Sequence, residues 1–467
     1  MNKVTRVARK SFLPDLSINE LIFMTLQKAF IYTISFFTLL CLLSYAAFSQ
    51  AQPLSMKQAL DLTMSNNRQI KISALEVDRS EQQIAAAKGQ SLPEAGLNGQ
   101  LIHYFEVPAF FGFDNSAGDK IPYGRFGGRD QGSAGVYVTQ PVYKPGNKPA
   151  LRYARLMKHS GDLSLTDRRS TVTALLKQTY IQILVLQERI ELQKQSLQRN
   201  EKALQDARSL LAQGRALRVD TLRAYTTVRN LEPDLLKLTY AVNVGKQQLK
   251  TLMGIDSLKE IQLTDSLELP GDEAILSETD VYDQARQNRA DLKVTELEQQ
   301  LSDEKIRLAA APMKPSVSLN AQYLLQTQTN GFDYTNAYYP STPFVGAQVN
   351  IPIFSGNINR DKVKQAEIEK QQAIQKSTNA YEELRAEVKQ VVADVRETRE
   401  RIRIREQVRE TALLSYDITQ YRYAKGVASR LELTDAELAL TTAQSDYLGA
   451  VYDYLSARIS LDRTMGK

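Results

Sequence analysis

The chain contains the same unit twice. Sliding its 467 residues along themselves by 222 positions lays LSMKQALDLTMSNNRQIKISALE, from Leu54, on LSETDVYDQARQNRADLKVTELE, from Leu276. The match runs without a gap through Asn66/Asn288, Lys71/Lys293 and Glu76/Glu298, and on to Pro93/Pro315, Leu97/Leu319, Asn98/Asn320 and Gln100/Gln322. Further on, TQPVYKPGN aligns with NIPIFSGN at an offset of 211, Pro141 on Pro352, and Gly214/Gly426 and Gly254/Gly466 follow at 212. The first copy therefore carries about eleven extra residues, all between Gln100 and Pro141. A repeat of this length demands a fold made of two similar halves. Each half reads as helix, strand, loop, strand, long helix, turn, long helix, which divides the chain into 50–270 and 271–467.

Residues 1–49 stand apart. An apolar run from Ala29 to Phe48 follows Lys28 and ends in Ser49-Gln50-Ala51-Gln52. That is the layout of a secretory signal peptide, with cleavage after Ser49 or Ala51. The competing reading is a membrane anchor, since the run is long enough to span a bilayer. Met24 opens a more ordinary signal and is a candidate true start. The only cysteine, Cys41, lies inside the run behind the bulky Leu39-Leu40, a poor setting for lipidation. Without the leader the chain has no thiol, which excludes disulfides and thiol chemistry. Much of the net charge of +6 also leaves with it, and the remainder shows no basic patch interleaved with aromatics, so no nucleic-acid partner is expected.

Two stretches per copy alternate with period two. Val317, Leu319, Ala321, Tyr323 and Leu325 oppose Ser316, Ser318, Asn320, Gln322 and Gln326, and Phe344–Phe354 repeats the pattern through Val345, Ala347, Val349, Ile351 and Ile353. The first copy follows more weakly through Leu97, Leu101 and Phe105, then Val136, Val138 and Val142. One apolar and one polar face, over about 9–12 residues each, suit tilted membrane-spanning strands. The alternative is two soluble hairpins packed on helices. Pro108–Asp130 and Thr329–Pro343, rich in Gly, Asn, Asp and aromatics, look like long external loops. Four strands cannot close a barrel, and lipid tolerates no open sheet edge. Such a chain must pool its strands with copies of itself, giving eight strands from two chains or twelve from three.

The rest is helical at unusual length. From about Leu151 to Gln213, Leu176, Ile183, Ile190, Leu197, Leu204 and Leu211 recur every seventh residue. Val228, Leu235, Val242 and Leu249 do so on the way back. Ile374, Tyr381, Val388, Val395 and Ile402, then Leu433, Leu440, Tyr447, Tyr454 and Leu461, repeat the scheme. Heptads pack as coiled coils, and a 60-residue helix reaches about 90 Å. The charges between them read as a solvated face. Pro233 breaks the pattern without an assignable purpose.

Enzyme chemistry finds no foothold. His103 and His159 are the only histidines, neither in a metal-binding or nucleophile-activating setting, and no phosphate loop or dinucleotide fingerprint occurs. Both histidines read as structural, and no catalytic residue, cofactor or metal is expected.

The doubled Asn66…Lys71 and Asn288…Lys293 segments, the Leu92-Pro93 and Lys314-Pro315 strand starts, the TQPVY and NIPIF strand ends and the paired glycine turns resemble the TolC-like outer membrane efflux proteins. The resemblance covers nearly all of 54–466. It implies an α+β membrane protein of a Gram-negative outer membrane: a homotrimer whose twelve-stranded β-barrel, four strands per chain, continues into a long coiled-coil periplasmic tunnel. It further implies a passive exit duct of a tripartite efflux or type I secretion system, docked on a periplasmic adaptor and an inner-membrane pump. The helix turns at Gly214-Arg215 and Gly426-Val427 would meet the adaptor. Alignment on the glycines puts the family's lumen-narrowing acids on Glu432 and Asp435, with Asp220 at the equivalent place in the first copy, and a gate-linkage tyrosine on Tyr423. Where the best-known member has a gating arginine, this chain has Ala428, with Arg430 nearby. A periplasmic coiled-coil adaptor or scaffold, which also carries long paired helices, is the competing function.

Overall fold

The computed structural model describes residues 52–114, 120–269, 271, 276–331 and 334–467. The leader expected at 1–49, with Met24 and Cys41, lies outside the described residues. Each half begins with a strong helix start. Ser55 opens α1 (Met56–Asn66) with a reciprocal cap: the Gln58 N–H donates to its hydroxyl at 3.3 Å and Gln58 Oε1 accepts its own N–H at 3.0 Å. Asn67 then turns the chain into α2 (Arg68–Gly89), its side-chain oxygen accepting from the Gln69 and Ile70 N–H groups. There follow β2 (Glu94–His103), β3 (Ala109–Asp114), β4 (Lys120–Arg125), β5 (Asp130–Tyr143), α3 (Asn147–Ala212) and α4 (Arg218–Met253). The second half repeats the order as α5 (Glu278–Asn288), α6 (Ala290–Ala310), β7 (Ser316–Thr329), β8 (Ser341–Asn350), α7 (Ile358–Ala424) and α8 (Arg430–Thr464). Two short strands, β1 (Gln52–Leu54) and β6 (Ile261–Leu263), pair in parallel where the halves join.

The main sheet is antiparallel in the order β2-β5-β7-β8. Residues opposite each other across a ladder share a face. The register stacks Leu97, Val136 and Tyr323 in one row and Ala95, Val138, Ala321 and Val345 in the next, while Asn98, Gln100, Ser133, Asn320, Gln322 and Gln348 fall on the other side. The rows expected from alternation thus merge into one apolar face, and its members stand exposed, Leu97 and Val345 at 83%. At one end of that face His103 Nδ1 and the buried Asp130 carboxylate meet at 2.7 Å, so this histidine has a structural role. His159 is exposed on α3.

Three expectations need correction. The stretch at Pro108–Asp130 is not all loop: β3 and β4 pair as a separate hairpin within the segment lengthened in the first copy. The two central strands run 14 residues rather than 9–12, because they have partners on both sides, whereas the edge strands stop at 10. Finally, β8 spans Ser341–Asn350, not Phe344–Phe354. Pro352 has no N–H to donate, and Ile353 and Phe354 stand out at 97% and 81% exposure.

The helices obey the heptads. Leu176, Ile183, Leu204, Val388, Val395, Ile402, Leu433, Leu440 and Leu461 are buried, Ile374 being an exception at 38% exposure. With 66 and 67 residues, α3 and α7 are each about 100 Å long. Pro149 sits in the first turn of α3, where no N–H is needed, and α4 runs through Pro233 without a break. Two apolar clusters form a waist, and they are copies of each other. Leu176, Tyr180, Ile183, Val242, Leu249 and Met253 in one become Val388, Val392, Val395, Tyr454, Leu461 and Met465 in the other, every pair 212 residues apart. Tyr180 pins the junction between the halves, donating to the Leu54 carbonyl at 2.8 Å and lying 3.1 Å from Asp265 Oδ2, which also accepts the Met56 N–H.

At the waist the end of each half meets its own beginning. The Asn67 amide donates to the Leu252 carbonyl at 2.7 Å, so α4 abuts the α1–α2 corner. In the second half Arg289 occupies the corner. It pairs with Asp291 and Glu387 at 2.7 Å each, and Glu387 also accepts from the Thr464 hydroxyl at 2.8 Å. No helix among the described residues is long and apolar enough to cross a membrane.

Candidate functional site at the helical tips

Far from the sheet, α3 turns into α4 and α7 into α8. Both turns use the same device. Gly214 and Gly426 sit at φ +70 and +73, a region that strains any side chain. The Gly214 N–H reaches the Leu211 carbonyl and the Arg215 N–H that of Leu210, both at 2.9 Å. Gly426 to Tyr423 and Val427 to Arg422 repeat the pair at 3.0 and 2.9 Å. These double bonds satisfy the last carbonyls of each long helix and reverse the chain within a few residues. Gly214, Arg215, Gly426 and Val427 are all exposed, at the extreme ends of the hairpins.

The acids singled out from the sequence fall one turn further on, in two roles. Asp220 and Glu432 occupy the same position in their copies, and each caps its helix. Asp220 Oδ2 accepts the Leu217 N–H at 3.3 Å. Glu432 Oε1 accepts from the Ser429 N–H and hydroxyl at 3.2 and 3.0 Å, and the Glu432 N–H donates back to the Ser429 hydroxyl at 3.2 Å. Those hydrogen bonds, backbone first, hold the Glu432 carboxyl below its ordinary range, with a further pull from Arg422 at 3.8 Å. Asp435 is exposed on the next turn. Tyr423 is half-buried, with the Arg430 guanidinium 5.9 Å over its ring. Tyr423 and Asp220 are not joined by a hydrogen bond among the described residues, and Ala428 contributes no side-chain bond. A cleft of about 380 Å³ separates the first turns of α4 and α8, lined by Asp220, Leu222, Arg223, Arg430, Leu431 and Thr434 among others.

One tip residue escaped the sequence reading. Glu437, in α8, is 6% exposed, and its Oε1 accepts from Ser196 Oγ, Arg199 Nε and Asn200 Nδ2 of α3 at 3.3, 3.1 and 2.9 Å. Arg199 also lies 5.7 Å over the Tyr416 ring, and burial, then the Glu437 charge, push that phenol up. Along the sequence Glu437 is one more charge on a heptad helix. Its partners lie 237 to 241 residues away, so no local pattern marks it. Among the described residues no group of His, Cys, Asp and Glu is placed to hold a metal ion.

The sequence pattern of the outer membrane efflux protein family matches residues 59–255 and again 281–467, once for each half. Among relatives, the outer membrane protein TolC of Vibrio cholerae is 18% identical over 402 residues, covering 86% of this chain and 88% of that one. The probable efflux pump outer membrane protein TtgC of Pseudomonas putida is 21% identical over 415 residues, covering 88% and 83%. Among solved structures, the outer membrane protein VceC of Vibrio cholerae superposes with a TM-score of 0.68 at 17% identity, over 88% of this chain and 96% of that one. Fold, repeat and sequence pattern agree, and the chain belongs to the outer membrane efflux protein family, an outer-membrane channel protein of a Gram-negative bacterium.

Proposed function

We propose that three copies of this chain close into one passive duct, each giving four strands to a twelve-stranded barrel and four long helices to a periplasmic tunnel. One observation carries this reading: in a sheet with an apolar, exposed face, β2 and β8 each keep one side without a partner among the described residues. In lipid those backbone groups have no water to bond to, so each edge requires a strand from another molecule. The alternation of directions along β2-β5-β7-β8 lets β8 of one copy pair antiparallel with β2 of the next. In this reading residues 1–49 are a cleaved signal, and 50–270 and 271–467 are the two repeat units. The tips at Gly214-Arg215 and Gly426-Val427 meet a periplasmic adaptor, which links the duct to an energised inner-membrane pump. Asp220, Tyr423, Glu432 and Asp435 line the gate just above them. The coiled-coil scaffold reading loses its ground, because it gives the two strand pairs and the family pattern no role.

The test is assembly and conduction together. Detergent-extracted protein should migrate as a trimer on a gel without boiling, collapse to a monomer band on heating, and conduct ions in a planar bilayer. A monomeric, non-conducting protein overturns the proposal.

A further inference from the structure

The two hairpins touch along α3 and α8, and their polar ties can be followed toward the turns. Arg189 Nη2 reaches the Ser445 carbonyl at 3.4 Å, and the Thr441 hydroxyl reaches Ser196 Oγ at 3.4 Å. Then Glu437 gathers Ser196, Arg199 and Asn200. Beyond that level, among the described residues, no hydrogen bond or ion pair joins one hairpin to the other. Each tip has its own small core, Leu204, Ala224 and Val228 in the first and Tyr416, Leu433 and Leu440 in the second. Glu437 is therefore the last tie before the free ends, about two turns into α8.

Its chemistry makes the tie strong and all-or-none. A buried carboxylate with three donors is stable only while they stay in place. Among the described residues Glu437 is the one acid paired with Arg199, whose Nη2 is buried without a hydrogen-bond partner. The duplication provides no counterpart either. The related positions hold Val408, Thr411 and Ala412 on α7 and Tyr225 on α4, and Tyr225 instead accepts from Arg229 Nε at 3.2 Å. The tie occurs once per chain, always between the first hairpin and the second.

We propose that Glu437 is the latch of the duct: held by Ser196, Arg199 and Asn200, it keeps the α7–α8 tip against α3, and its release lets that tip swing aside and widen the inner end. The inference rests on the exit-duct reading and adds which contact between the two hairpins holds the inner end in place. Glu437 acts through the position of its helix and need not touch cargo.

Conductance in planar bilayers tests it, in a trimer checked by its heat-modifiable band. Glu437→Gln keeps the shape but removes the charge, and the resting conductance of the closed duct should rise about tenfold. Asn200→Ala, which leaves both charges in place, should raise it less. Ser196→Cys with Thr441→Cys, added to Glu437→Gln, restores the tie covalently, because the hydroxyls they replace lie within bonding reach. Cys41 is the only native cysteine, so no other thiol competes once the leader is gone. Oxidation should return the conductance to the wild-type level and reduction should release it again. Wild-type conductance in Glu437→Gln and Asn200→Ala, or no effect of a complete crosslink, overturns the latch while leaving the duct standing. A wild-type protein that does not conduct overturns both.

Discussion

Four glycines with positive φ end the four long helical segments, and they are not equivalent. Gly214 and Gly426 face open space, so a side chain there meets only the strain of the left-handed conformation. That strain is about 1–2 kcal/mol. A Cβ on Gly254 would lie 2.5 Å from the Asn66 carbonyl oxygen, and one on Gly466 2.9 Å from the Asn288 Cβ. Gly254→Ala should therefore lower the melting midpoint of the assembled protein well beyond Gly214→Ala, as thermal denaturation followed by circular dichroism would show. Equal shifts would mean that the waist corner yields. The sequence marks all four as helix ends. It cannot separate the two kinds, because the atoms that crowd Gly254 belong to a residue 188 positions earlier.

At the scale of elements, the second tip depends on its helix start. Ser429 and Glu432 form a reciprocal cap, and Ser429→Ala should cost about 1 kcal/mol in the stability of that helix start. Hydrogen exchange of the amides at 431–434 would register it as faster opening. The pH dependence has a definite sign. The Glu432 carboxyl is held below its ordinary range in the folded tip, so its contribution is complete above the ordinary carboxylate pKa and is lost as pH falls through the lowered one. Exchange protection at this turn should therefore decline in acid, and less so in Glu432→Gln; protection independent of pH would contradict the cap. The Ser-x-x-Glu spacing is visible in the sequence, and the geometry shows that this acid builds the helix start. Strands were legible from alternation to within a few residues. The β3–β4 hairpin was not, because its glycines and aromatics follow no strand period.

For the whole molecule the duplication was the most legible feature, and it extends to buried residues such as Leu176/Val388 and Met253/Met465. Sheet order and the contacts between halves were not legible, since both depend on pairings far apart in the chain. In the proposed trimer Glu432 and Asp435 recur three times each, and as gate residues they would concentrate negative charge at one level of the lumen and favour cations. Replacing both by alanine should lower the cation-to-anion permeability ratio in planar bilayers; an unchanged reversal potential under a salt gradient would remove these residues from the gate. The waist adds a mechanical consequence. Long α3 and α7 are one-piece struts, whereas α2 with α4, and α6 with α8, are struts in two lengths that meet end to end near Asn67/Leu252 and Arg289/Thr464. A wall of alternating solid and jointed struts flexes at the joints. In the proposed duct, bending applied at the tips would be taken up at these joints, and the four-stranded contribution to the barrel on the far side of the waist would be spared.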